Sequence, residues 1–215
     1  MMDKDIYDAY FHHLLEGNVT GCSGIVRDLL EGDTYIRDIY VDLFQSALYE
    51  IGTMWEKNEI SVATEHLATS ITERMISMAY PTIFSTERIG KSAIVSCVAD
   101  EYHEIGGRMV ADILEMNGWD AIFLGTSTPL NDLMDMIEEK NPDVVALSLT
   151  IYFNIDSLKR ALDLIQERRP GQKVIIGGQA FRWGGEDLAD DYENVMFIPT
   201  LDRLEEVVSG GGIDS

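Results

Sequence analysis

From residue 88 onward the chain carries five short apolar runs, each followed by an amphipathic stretch of helical period, and this alternation leaves few folds open to it. The runs fall at residues 92–99, 120–124, 143–149, 173–176 and 194–198. Strands this uniformly apolar are covered on both faces, which requires a parallel sheet whose crossovers are helices. The spacing predicts those helices over residues 105–117, 129–140, 155–167, 185–191 and 201–209. The expected architecture is α/β: a doubly wound, flavodoxin-like (Rossmann-type) five-stranded parallel sheet with flanking helices.

Residues 4 to about 85 have a different texture, with helical periodicity and little that reads as strand. A first helix spans residues 4–16 and stops at Gly17-Asn18; a second spans 20–31 and stops at Gly32. Asp33 or Thr34 offers an N-cap to a third. Its apolar positions, Ile36, Ile39, Tyr40, Leu43, Ala47, Leu48 and Ile51, recur at three- and four-residue spacing, the stripe of a helix packed on others. A fourth begins after Ser61, a good N-cap, and runs through Ile71 and Met75 towards Tyr80-Pro81. The reading is a four-helix bundle over residues 1–86 followed by the α/β domain over 87–215.

Composition excludes several function classes. The formal net charge is -22 with only 16 Lys and Arg, so the clustered cations that phosphate contacts need are missing and direct nucleic-acid binding is not expected. The acidic residues are interspersed along helix faces, where they serve solubility. Cys22 and Cys97 lie far apart in unlike contexts, which argues against a disulfide framework. No run approaches the about 18 apolar residues of a membrane span, and the N-terminus has no apolar core before charges resume, so the expected location is cytoplasmic.

The doubly wound topology brings the carboxyl ends of the first, third and fourth strands to one rim, where ligands of open α/β sheets bind. The first end carries Asp100-Glu101-Tyr102-His103-Glu104-Ile105-Gly106. An imidazole there can ligate a metal through one nitrogen while the other donates to a carboxylate, Asp100 or Glu101. The plain alternative is a solvated loop histidine. At the third end, Ser148 and Thr150 put two hydroxyls at period two; at the fourth, Gly177-Gly178 lets a bulky group approach the backbone. Together they describe a slot running from His103 into the sheet. A second constellation lies in the bundle: Trp55, nine residues, then Glu65-His66. An aromatic plate beside a carboxylate and an imidazole can cover a nucleoside; the competing reading is a core Trp with Glu65 favouring a helix N-terminus. His12 and His13 read as surface residues of the first helix.

The pattern of an acidic residue, His two on and Gly three further, then Ser with a residue two on, then Gly-Gly, resembles the cobalamin-binding protein family over residues 88–200. Glu101 stands where Asp is commoner in that family, and Thr150 where Leu is commoner. The resemblance implies that His103 ligates cobalt from below. It also implies that the cofactor's dimethylbenzimidazole tail enters the slot lined by Ser148, Thr150, Gly177 and Gly178, and that Asp100, Glu101, Tyr102, Glu104, Ile105 and Gly106 frame the site. Trp55 with Glu65-His66 is similar to the light-sensing module of adenosylcobalamin-dependent photoreceptor regulators. That resemblance implies a bundle capping the upper face of the cofactor and enclosing its deoxyadenosyl group. The function it implies is a sensor rather than an enzyme, without its own DNA-binding domain, signalling through a protein partner such as a transcription regulator or effector, or through a homo-oligomer. Adenosylcobalamin is then the expected form, ahead of methylcobalamin or hydroxocobalamin. The competing class is the corrinoid carrier protein of a methyltransferase system, which shares both domains; a third is the binding of another planar tetrapyrrole in the same slot.

Overall fold

The computed structural model describes residues 2–32, 34–210 and 212–213, and divides into two compact units, Met1–Ser85 and Thr86–Ser215.

In the first unit, α1 (Lys4–Leu15) and α2 (Val19–Glu31) are followed by α3 (Ile36–Asp38), a π-helical stretch Ile39–Gln45 and α4 (Ser46–Glu56), which continue one another without a break in helical dihedrals. Then come α5 (Val62–Ser77) and the single turn α6 (Tyr80–Ile83). Three starts have side-chain caps: Asp3 accepts from the Asp5 N–H at 2.8 Å, Asn18 from Gly21 at 3.0 Å and Ser61 from Thr64 at 3.1 Å, each worth about 1 kcal/mol. Asp33 lies outside the described residues, and Thr34 does not cap; α3 starts after Tyr35 with no side-chain cap. The sequence pattern predicts one regular third helix, whereas the structure inserts the π stretch. Its i to i+5 bonding puts more residues in each turn, so Leu43 and Phe44 are both buried, and Leu48 is only half-buried. The Phe44 ring lies 5.8 Å from both Tyr10 and Tyr40.

The second unit is a five-stranded sheet in the order β2-β1-β3-β4-β5, all strands parallel. The strands are β1 (Ser92–Cys97), β2 (Asp120–Phe123), β3 (Val144–Ser148), β4 (Lys173–Gly177) and β5 (Val195–Phe197). The crossovers are α7 (Ile105–Met116), α8 (Leu130–Lys140) and α9 (Ile155–Arg168), and α10 (Leu201–Ser209) closes the unit. The helix expected at 185–191, fourth of the five, is a 3-10 turn, Glu186–Asp191. Ile94, Val145, Leu147, Val174 and Ile176 are buried against Leu133, Met134, Ile137, Leu158, Leu162 and Ile165 from α8 and α9. Burial on both faces holds for β1 and β3 but not for β2 and β5, whose residues are partly exposed. An edge strand has one neighbour only, and its outer flank is open to water. No helix among the described residues is long and apolar enough to cross a membrane.

α7 lies close to the end of β1 because Gly107 lacks a side chain: a Cβ there would meet Phe123 Cε2 at 3.0 Å, Cys97 Sγ at 3.3 Å and Ser148 Cβ at 3.5 Å. Gly107→Ala is expected to cost about 1–2 kcal/mol by overpacking. Chemical denaturation checks this, and a wild-type midpoint would refute so tight a contact.

Candidate functional site

The register aligns Cys97 with Ser148 and Ser148 with Gly177, so the last residues of β1, β3 and β4 form one row. The residues beyond that row build the site. After Val98 and Ala99 the chain turns at Asp100, whose φ of 67° is a left-handed conformation that Asp tolerates better than most side chains. Neighbouring loops hold the turn from two sides. The Asp100 N–H donates to Ser127 Oγ at 3.1 Å and the Ser127 N–H to the Glu101 carbonyl at 2.9 Å, while Asn154 Nδ2 donates to the Asp100 carbonyl at 3.1 Å.

Glu101 is the centre of the arrangement. Its side chain is 0% exposed, yet it is saturated with partners. Oε1 accepts from the His103 backbone N–H at 3.0 Å and from His103 Nδ1 at 2.6 Å; Oε2 accepts from the Thr150 N–H at 2.9 Å and the Ile151 N–H at 2.8 Å. Burial by itself raises a carboxyl's pKa, but the bonds from the His103 ring and from the Ile151, His103 and Thr150 amides outweigh it, and the group is held below its ordinary value. Glu101 is therefore a carboxylate. An ionised carboxylate only accepts, so Nδ1 carries the hydrogen, and in the neutral ring the lone pair resides on Nε2. That tautomer is the one a metal ligand bound through Nε2 needs. The His103 side chain is 55% exposed, so its ring, anchored on Glu101, reaches the solvent.

Of the two carboxylates expected to orient the imidazole, Glu101 does so and Asp100 instead shapes the turn. Cys97 Sγ donates to the His103 carbonyl at 3.6 Å. Burial, reinforced by the charges of Glu101 and Glu104, pushes this thiol up to about 12, and so it stays protonated. Glu104 accepts from Arg108 Nη2 at 3.1 Å, and the Arg108 guanidinium lies 5.2 Å from the Phe123 ring. Tyr102 is exposed, and Ile105 opens α7.

Ser148 is buried at the end of β3, and a Cβ on Gly106 would come within 3.7 Å of its hydroxyl. Thr150 lies past the strand, and its contribution to Glu101 is its backbone N–H, a group that side-chain reasoning passes over. At the next strand end, a Cβ on Gly177 would meet the Ile198 carbonyl oxygen at 2.7 Å. Gly178 has φ 123°, and a Cβ there would sit 2.2 Å from the Leu149 oxygen, so both positions exclude a side chain. The local sequence hint for Gly107 was the Gly-Gly pair opening α7; Ser127 and Asn154 carried no such signal.

In the first unit, Trp55 lies in the last turn of α4 and the short link through Asn58 leads to Ser61, which caps α5. Trp55 is 48% exposed, which removes the core reading. One residue pair on the first turn of α5 is organised: Glu65 Oε2 meets His66 Nδ1 at 2.6 Å while Thr69 Oγ1 donates to Glu65 Oε1 at 3.0 Å. His12 is exposed and pairs with Glu16 at 3.3 Å. His13 is half-buried, with its ring against Gly21.

A family model described as B12 binding domain matches residues 91–208, and a second of the same description matches residues 6–80. The chain is 28% identical over 137 residues to the HTH-type transcriptional repressor CarH of Myxococcus xanthus, an alignment covering 63% of this chain and 45% of the repressor. The chain thus spans less than half the length of that relative. It is 23% identical over 200 residues to monomethylamine corrinoid protein 1 of Methanosarcina acetivorans, covering 88% of this chain and 92% of that protein. Among solved structures, the monomethylamine corrinoid protein of Methanosarcina barkeri shares the fold with a TM-score of 0.84, at 16% identity, over 98% of this chain and 100% of that one.

Proposed function

The chain belongs to the B12-binding domain family, and from that membership we propose that this cobalamin-binding protein is a sensor, specifically a photoreceptor of adenosylcobalamin that signals through a protein partner. In this reading His103 would ligate the cobalt, and Ser148, Thr150, Gly177 and Gly178 would receive the nucleotide tail. Asp100, Glu101, Tyr102, Glu104, Ile105 and Gly106 would frame the corrin, and Trp55, Glu65 and His66 would tune the light-sensitive ligand of the cofactor. The donor set fits such a cofactor: one imidazole, anchored through Nδ1 on a buried carboxylate, beside backbone stripped of side chains. When bound, the cofactor supplies a light-sensitive cobalt–carbon bond. The residues supply the rest: Glu101 holds the tautomer and orientation of His103, and Gly177 and Gly178, packed against the Ile198 and Leu149 backbone, shape the strand end beside the tail.

The observation that carries the sensor reading is the exposure of Trp55 together with the Glu65–His66 pair. A Trp serving only the bundle core would be buried. The net charge of -22 favours a protein partner, such as a transcription regulator or effector, over nucleic acid. Reconstitution in the dark with adenosylcobalamin, followed by green illumination, is expected to change the absorbance spectrum of the bound protein irreversibly. Trp55→Ala is expected to reduce the preference for adenosylcobalamin over methylcobalamin by about tenfold, the worth of one large aromatic contact. A bound spectrum indifferent to light, beyond what free cofactor shows, sinks the proposal.

A second reading has its own support: alignment along nearly the whole of a corrinoid protein. The chain would then carry a corrinoid for a methyltransferase, with catalysis belonging to that partner. Clear preference for methylcobalamin in a binding titration would favour it.

A further inference from the structure

The residues after Thr150 form a short 3-10 turn, Tyr152–Asn154, with an unusual display. Phe153 is 93% exposed, and an isolated phenylalanine ring in water is unfavourable by much of what its burial is worth. The turn is nevertheless held at both ends. Its entry is fixed by the Thr150 and Ile151 N–H groups on Glu101 Oε2, its exit by Asn154 Nδ2 on the Asp100 carbonyl, and the Asn154 N–H closes it on the Ile151 carbonyl at 2.9 Å. Tyr152 is backed by protein: a Cβ on Gly185 would lie 3.8 Å from its ring. Phe153 is therefore presented from a turn fixed to the same carboxylate that anchors His103.

We infer that Phe153, on the turn backed by Tyr152, is an apolar contact for the corrin macrocycle of the cofactor ligated by His103. This rests on the cobalamin-binding role of His103 set out above. The tethering of this turn to the carboxylate that holds His103 favours that occupant over a protein surface. An aromatic ring fixed relative to the lower ligand gains its contact with a group that same ligand holds in place, at little further cost in side-chain entropy. The corrin periphery is rich in methyl groups and suits an apolar wall. Tyr152 and Phe153 both lie outside the motif that carries His103, Ser148 and the glycines.

The test titrates the full chain with hydroxocobalamin and with cobinamide, which has the macrocycle but no nucleotide tail, following cobalt absorbance. Phe153→Ala is expected to weaken both ligands by about tenfold, and Phe153→Leu, which keeps apolar bulk, by less than about threefold. As the side chain is exposed, neither variant should alter folding, which circular dichroism verifies. Wild-type affinity of Phe153→Ala for both ligands overturns the inference. A loss confined to hydroxocobalamin overturns it too, because the contact is then with the tail. Unchanged affinity with altered sedimentation assigns Phe153 to a second copy of the chain and likewise overturns it. Failure of the wild-type chain itself to bind either corrinoid would instead strike the ligand role of His103, a distinguishable result.

Discussion

Glu101→Ala lowers the stability of the second unit by about 3–5 kcal/mol, the expected result of leaving the His103, Thr150 and Ile151 N–H groups without their acceptor at about 1–3 kcal/mol each, partly relieved by entering water. Denaturation followed by circular dichroism reads it. A loss under about 1 kcal/mol would mean that the carboxylate holds nothing together. Glu101→Gln separates the contributions. Its carbonyl oxygen can still accept from the Thr150 and Ile151 amides, but its NH2 can only donate, which moves the ring hydrogen to Nε2 and leaves the His103 backbone N–H without its acceptor. Part of the stability should therefore survive in Gln while corrinoid ligation does not. The pH dependence has a definite sign. The folded carboxyl titrates below its ordinary value, so the unfolded chain binds more protons and the contribution is complete above the unfolded value of about 4.3. It is lost as pH falls through the folded value. Wild-type protein should lose stability below about pH 4.3 more steeply than Glu101→Gln; equal acid limbs would contradict the assignment.

His103→Ala has the second large effect, on cofactor rather than fold. Its ring is more than half exposed, so stability should change by about 1 kcal/mol or less. Corrinoid affinity should fall by at least 100-fold, since loss of an outer-shell partner alone costs about 10–100-fold. The absorbance of residual bound cobalamin should shift to that of the cofactor carrying another lower ligand. An unchanged spectrum and affinity would make His103 a solvated loop residue. Measured beside Glu101→Gln, this variant tests whether the carboxylate acts through the imidazole: both should lose ligation, and the double variant should lose little more than either.

The fold was largely legible in the amino acids because its determinants are local. Runs of apolar residues at 92–99 and 143–149 announce central strands, and the cap Ser61 marks a helix start within three residues of the group it satisfies, whereas Asn18, which reads as a helix stop, also caps the helix that follows. The π stretch at Ile39–Gln45 was not legible, since its residues have the same apolar spacing as an α-helix and only packing around Phe44 selects the wider turn. The edge strands were misjudged for a similar reason: β2 and β5 are apolar enough to look central, but sheet order is not written in their own residues.

The sequence by itself determined which groups reach the rim, including the imidazole at 103, the hydroxyl at 148 and the glycines at 177 and 178. Only the tertiary structure decided how they are joined. It chose Glu101 over Asp100 as the partner of His103, and it tied that carboxylate to backbone N–H groups 49 and 50 residues away in the chain. It also left Phe153 in water beside them. The physical reason is that a pattern of side chains records periodicity and propensity over a few residues. A hydrogen bond between the ends of β1 and β3 depends on strand register and on the length of one side chain, and these exist only once the sheet has formed.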